Sequence, residues 1–215
     1  MSKVERANAS DAEALSRLIF ASGPENLVGV FTGHQTELSE QQKVQSCIDY
    51  LKASLLLADG QFGFKNQYII RQSDDMAGCV SFWQHPLSDS FSQATLDSLL
   101  THFGGLESAM ILQNSQHLSS LVVAPKGHQL SIGHLCVSSK YQRQGVAHRL
   151  LQHCEEKAQL LGKEQLILDV SIQNQRAISL YSKFGFKTIT ETQPSESAKQ
   201  LGLPGHVHMH KTLNL

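Results

Sequence analysis

Apolar residues along this chain recur with two different periods. From Leu15 to Leu55 they step by three and four, as on the buried side of an amphipathic helix. Leu15, Leu18 and Ile19 form one such stripe. Ser10-Asp11-Ala12-Glu13 ahead of it reads as a capping box, with Ser10 accepting from the first turn and Glu13 reaching back. Gly23-Pro24 is expected to stop that helix. Val44, Cys47, Ile48, Leu51 and Leu55 predict a second helix, broken at Asp59-Gly60, and Lys3 to Ala7 can form a short strand before both. The period then changes. Tyr68 to Arg71 and Ala77 to Trp83 flank a Ser73-Asp74-Asp75 turn, which is a hairpin signature.

The section from Gln84 to Gln129 fits neither pattern cleanly. It predicts a short helix through Leu96, Leu99, Leu100 and Phe103, a break at Gly104-Gly105 and a second apolar stretch, Met110-Ile111-Leu112. From Leu130 the order is regular again. Ile132 to Val137 reads as a strand and Ser138 to Gln144 as a polar turn. Gly145 to Leu161 reads as a helix with Leu150, Leu151, Cys154, Ala158 and Leu161 inward. Leu166-Ile167-Leu168-Asp169-Val170 is a mostly apolar strand of the kind buried on both faces. Asn174 is placed to cap a helix that Gly185 ends after Phe184, and Phe186 to Thr190 and His206 to Leu213 are further strands. A hairpin followed by βαβα order predicts an α/β (α+β) fold, a mixed sheet with helices on both faces.

Composition narrows the class. The 215 residues allow one domain, or one domain with an insertion, at roughly 100–200 residues per domain. Eighteen Lys and Arg against nineteen Asp and Glu leave a net charge of -1, so the basic excess of a dedicated nucleic-acid binder is missing. The N-terminal Met1-Ser2-Lys3-Val4-Glu5-Arg6 has no apolar signal core, and no run reaches the roughly 20 apolar residues of a membrane span. Cys47, Cys79, Cys136 and Cys154 are far apart, as expected of reduced thiols in a cytoplasmic protein.

Candidate chemistry gathers at Gln142-Arg143-Gln144-Gly145-Val146-Ala147, between a strand and a helix start. Unpaired N–H groups and the positive end of the helix dipole suit a pyrophosphate there, and Gly145 and Ala147 leave the backbone clear. Gln142, Arg143 and Gln144 add donors and one formal charge. A tight strand-to-helix turn with no ligand would use the same glycine. The surroundings decide between the two. The segment resembles the acyl-CoA-binding core of the GNAT superfamily of N-acetyltransferases, whose phosphate loop has the form [Q/R]-x-x-G-x-[G/A]. Ile132-Gly133-His134-Leu135-Cys136-Val137 looks like that family's fourth strand. Asn174-Gln175-Arg176-Ala177-Ile178-Ser179-Leu180-Tyr181-Ser182-Lys183-Phe184-Gly185-Phe186 is similar to its N-x-x-A-x-x-L-Y-x-K-x-G-F signature. The likeness is strong over Leu130 to Thr190, weaker before that and absent from the middle section.

The resemblance implies a single domain over residues 1–215, interrupted by an insertion at about 84–129 that could act as a lid or acceptor wall. It implies a mostly antiparallel central sheet and acetyl-CoA as co-substrate, with no metal. The strand backbone of Leu135, Cys136 and Val137 would pair with the pantetheine arm, and the amides from Arg143 through Gln144, Gly145, Val146 and Ala147 would hold the pyrophosphate. Asn174 would reach the pantetheine side. Tyr181 stands where the family places a phenol beside the thioester sulfur, and so is the expected acid for the leaving thiolate. Of the Glu, Asp or His that the family often carries on this strand, only His134 is present, so it is the candidate base, with a water relay or an insertion residue as equal alternatives. His206, His208 and His210 share one strand face, which reads as a polar face more readily than as a zinc site. The acceptor would be an amine on a small molecule or peptide, with neither nucleic acid nor membrane as partner. The protein would be a monomer or homodimer. A non-catalytic acyl-CoA-binding or sensing module on the same fold is the rival reading.

Overall fold

The computed structural model describes residues 3–213. The chain runs β1 (Val4–Arg6), α1 (Ala12–Ser22), α2 (Pro24–Thr32), α3 (Glu40–Leu55), β2 (Gln67–Gln72), β3 (Asp75–Trp83), α4 (Asp89–Ser119) and β4 (Gln129–Val137). It continues through α5 (Val146–Leu160), β5 (Gln165–Ser171), α6 (Gln175–Phe184), β6 (Lys187–Thr192), α7 (Glu196–Gln200) and β7 (His206–Thr212). The strands form one sheet in the order β1-β2-β3-β4-β5-β7-β6. Every neighbouring pair is antiparallel except β4 and β5. This is the mixed, mostly antiparallel α/β sheet that the sequence implied, with helices on both faces.

Strand alternation feeds two cores. On β2, Tyr68 and Ile70 join the cluster under α5 and α6, while Ile69 joins the one under α1 and α3. The first cluster also takes Leu150, Leu151 and Cys154 from α5 with Leu166, Leu168 and Val170 from β5. The second takes Leu15 and Ile19 from α1 with Leu51 and Leu55 from α3, all fully buried. At about 1.5–3 kcal/mol for each buried Leu or Ile, the two cores clamp the sheet from opposite sides.

One local reading is corrected and two are refined. Asn8, not Ser10, supplies the first cap: its Oδ1 accepts from Ser10 N at 3.0 Å, and Asp11 closes the box on Asn8 N at 2.9 Å. Glu13, freed from capping, pairs with Arg17 and Lys52. Gly23-Pro24 does end α1, but Pro24 is also the first residue of α2, a position that spares an amide lacking a partner anyway. The middle section holds α4, two helical segments that meet at a break at Gly104, where φ is 75° and ψ 176°. The expected interruption is present, and the second apolar stretch after it is helical as well.

α4 packs on α2 through a polar clip. His34 Nε2 lies 2.8 Å from Glu107 Oε2, which also accepts from Gln35 at 2.9 Å. Buried Asn114 donates to the Val30 carbonyl and meets His34 Nδ1, each at 3.0 Å. The insertion therefore braces the back of α2.

The feature that matters most for function lies in the middle of the sheet. β4 and β5 pair only at Gln129–Gln165, Leu130–Leu166 and Ser131–Ile167. Beyond those pairs the two strands separate, and a wedge opens with strand backbone along both walls.

Candidate functional site

The wedge widens into a cleft of about 1200 Å³. That exceeds the roughly 300–1,000 Å³ of ordinary small-ligand pockets and leaves room for two substrates. Among the expected site residues, His134, Leu135, Cys136, Val137, Gln142, Arg143, Gly145, Val146, Ala147, Asn174 and Tyr181 all line it. Gln144 does not: its Nε2 is spent on the Lys140 carbonyl at 3.1 Å. No residue of the 84–129 segment is in the lining of this cleft.

One end of the cleft suits an anion. α5 starts at Gly145, which has φ 78° and is followed by no side-chain cap. The first-turn amides of α5 are thus left for a ligand. Arg143, two residues earlier, also has positive φ, at 60°. Left-handed residues alternating with ordinary ones, as here on either side of Gln144, turn successive N–H groups into one concavity, a shape that binds phosphates. Lys140 and Tyr141 both bind Asp75, anchoring the turn from behind. Arg143 at this turn, with Arg176 and Lys183 from α6, puts positive charge in the cleft lining. Glu25 and Asp169 are the carboxylates of that lining. A chain of near-zero net charge thus carries a charged cleft.

The β4 wall is built by a bulge. Cys79 faces Cys136 and Ser81 faces Gly133, so two steps on β3 span three on β4. The extra residue falls at His134, whose φ is 48°. Side chains of β3 take up the carbonyls turned out of step: Ser81 Oγ donates to Gly133 O at 3.1 Å and Cys79 Sγ to His134 O at 3.3 Å. Gly133 has no alternative, since a Cβ there would stand 2.0 Å from the Trp83 ring.

His134 itself sits edge-on to Trp83 and against Phe62. Its Nδ1 lies 3.3 Å from Ser22 Oγ, and the Ser22 hydroxyl hydrogen already goes to Ile19 O at 2.6 Å. Nδ1 is therefore the donor, and Nε2 keeps a lone pair, enclosed and without a protein partner. Burial pushes this imidazole down to about 4, so it is neutral at pH 7. Burial likewise drives the Tyr181 phenol upward, with the Cys154 and Cys136 thiols adding to the effect, and the phenol keeps its proton. The Cys136 thiol is pushed up to about 11, chiefly by burial. Asn174 caps α6 by accepting from Ala177 N at 3.1 Å while facing the cleft.

Sequence reasoning missed two groups. Ser22 to Asn26, at the α1–α2 junction, form the wall opposite the phosphate end, and nothing in their pattern marks them. Asp169 is the other, and here a signal existed: one acid inside the apolar run Leu166–Val170. Its Oδ1 lies 3.2 Å from His208 Nδ1, and Oδ2 accepts from Val123 N at 3.1 Å. The histidine strand face is buried rather than solvated: His208 holds Asp169, and His206 Nε2 meets Asn26 at 3.0 Å. No group of three or more potential metal ligands occurs among the described residues, and no helix among them is long and apolar enough to cross a membrane.

Comparison with known proteins agrees with this geometry. The model of the acetyltransferase (GNAT) family matches residues 48–186. GCN5-related N-acetyltransferase 6, chloroplastic, of Arabidopsis thaliana is 44% identical over 66 residues, covering 31% of this chain and 23% of that protein. The N-alpha-acetyltransferase of Sulfurisphaera tokodaii is 36% identical over 77 residues, 35% of this chain and 43% of its own. The matches thus span less than half the length of these two relatives. Among solved structures, an acetyltransferase superposes over 99% of this chain and 100% of its own at TM-score 0.63 and 17% identity. An acetyltransferase from Salmonella typhimurium, solved with its cofactor acetyl-CoA, covers 99% of this chain and 94% of its own at TM-score 0.52 and 14% identity.

Proposed function

Because the chain belongs to the acetyltransferase (GNAT) family, we propose that it is an acetyl-CoA-dependent N-acetyltransferase acting on a primary amine of a small molecule or peptide. One observation carries this reading. The split between β4 and β5 runs from the uncapped start of α5 to a protonated phenol, so a single cleft offers an anion cradle, unpaired strand backbone and an acid in sequence.

Bound acetyl-CoA supplies the activated acetyl group; the chain's own residues do the rest. The amides from Arg143 to Ala147 bind the pyrophosphate, and the Arg143 side chain adds charge. Leu135 and Val137 extend their backbone along the pantetheine arm as one strand pairs with another, with Asn174 across from them. The N–H at Val137 faces the carbonyl oxygen and stabilises the charge that builds there. His134 accepts the amine's proton on Nε2, an enclosed atom that has to be uncovered as the amine binds. A base this weak suits the step only because C–N bond formation makes the nitrogen acidic. Tyr181 gives its proton to the sulfur as the C–S bond breaks. Direct transfer is favoured over an acyl-enzyme on Cys136, whose buried thiol stays protonated and poorly nucleophilic.

The test is a panel of primary amines with acetyl-CoA, followed by thiol release. Turnover on at least one amine is expected. Tyr181→Phe should lower kcat by about 10²–10⁴-fold, the worth of a general acid, while CoA affinity measured by calorimetry stays at the wild-type value. Tight CoA binding with no turnover on any amine would make the protein an acyl-CoA sensor instead.

A further inference from the structure

We propose that Asp169 is the seat of the acceptor's ammonium group, held in place by His208 and by the Val123 amide, and that the acceptor is therefore a cationic amine with no carboxylate beside its nitrogen. This rests on the N-acetyltransferase reading and names the substrate class of that same site.

Asp169 lies two residues beyond the last β4–β5 pair, Ser131–Ile167, where the strands have begun to separate. Strand alternation sends Leu168 and Val170 into the α5–α6 core and turns Asp169 to the other face of the sheet. There it lines the acceptor side of the cleft with its side chain only 10% exposed. A carboxylate this buried costs several kcal/mol in desolvation, which a valine at the same place in an apolar strand would not. No Lys or Arg repays the cost: the ion-pair partner of Asp169 among the described residues is His208.

The two holders fix the carboxylate without using it up. His208 stands directly opposite on β7 and takes Oδ1, while the Val123 N–H, from the turn after α4, takes Oδ2. A carboxylate offers about four acceptor sites, so each oxygen keeps one. A primary ammonium, compact and with three donors, fits what remains; it gives up one proton to bulk water to free its lone pair for attack, and the second leaves to His134 as the C–N bond forms. The charges of the cleft lining point the same way: Arg143, Arg176 and Lys183 are there for an anionic ligand, and Asp169 and Glu25 are its carboxylates. A free amino acid would bring its own carboxylate against Asp169. An alkylamine, an amino-acid amide or a peptide N-terminus would not.

Phenethylamine, phenylalaninamide and phenylalanine share a ring and differ at the carboxyl carbon, and they serve as probes. Wild-type protein should acetylate the first two with kcat/KM about 10–100-fold above phenylalanine, the range of a charged hydrogen bond gained or lost. Asp169→Asn should raise KM for those two by a similar factor, with CoA affinity unchanged. For His208, a positioning residue, His208→Leu should raise KM with little change in kcat, and His208→Gln, which restores an N–H to Asp169, should recover it. An unchanged KM in Asp169→Asn, or equal use of phenylalanine, overturns the proposal. Should the wild type acetylate none of the three, calorimetry of phenethylamine with CoA-loaded protein decides. Binding that weakens by the same factor in Asp169→Asn upholds the seat although the catalytic reading has failed, and no binding, or equal binding, overturns it.

Discussion

His134 owes its properties to a backbone out of step. In a regular strand its side chain would alternate with Gly133 and Leu135; the bulge gives it a positive φ and wraps it in Trp83 and Phe62. Burial holds it near 4 against an unfolded value near 6.5. Below about pH 6.5 the unfolded chain takes up a proton that the folded one refuses, so this stability is complete above that pH and falls as the pH drops toward 4. The loss is on the order of 3 kcal/mol. Denaturant titrations should show that fall between pH 6.5 and 4 in the wild type and a shallower one in His134→Gln. Some slope should survive, because His102, His153 and His206 are lowered by burial too. Cys136 makes a sharper distinction. If transfer is direct, Cys136→Ser keeps kcat within about threefold, against the 10²-fold or greater loss expected on removing a covalent nucleophile. Thiol-release kinetics without an initial burst should accompany it.

At the scale of elements, the same residue type plays opposite parts at adjacent positions of α4. Gly104 sits at φ 75° and ψ 176°, a region open essentially to glycine, whereas Gly105 is helical. A methyl group at either would meet nothing within 4 Å, so the difference is one of backbone alone. Gly104→Ala should destabilise by about 1–3 kcal/mol, and Gly105→Ala should stabilise by up to about 1 kcal/mol, both read from chemical denaturation. This pair also shows where sequence reading runs out. Gly104-Gly105 was legible as an interruption, but whether the chain turns away or resumes its helix depends on what Asn114 and Glu107 find on α2. Those partners lie more than seventy residues distant in sequence. The stretch from Leu130 to Phe186 was far more legible, because its strands and helices carry their periods, caps and phosphate loop locally. Asp169 shows the opposite case: visible as an anomaly, it gains meaning only from His208 and Val123, which the fold brings to it.

For the molecule as a whole, the two cores hold the sheet rigid on either side of a line where it is deliberately left unzipped. β4 and β5 keep three residue pairs and give up the rest. A ligand lying between them replaces the missing strand contacts and joins the two halves of the sheet. CoA should therefore raise the unfolding temperature, by a free energy of about 2.7 kcal/mol at a hundred times Kd. A differential scanning titration checks this, and a shift absent at saturating CoA would remove the cleft as its binding place. The near-zero net charge is compatible with such a ligand, since backbone amides with Arg143, Arg176 and Lys183 of the cleft lining would be enough to hold it.

The close approach of Trp83 to Gly133 has one more consequence. Trp83 is the sole tryptophan of the chain, and its ring lies against the bulged strand that would carry the pantetheine arm. The protein thus contains its own fluorophore behind the cleft wall, edge-on to His134. Its emission gives a label-free optical report on the bulge, readable in the stopped-flow time range and undiluted by any second indole.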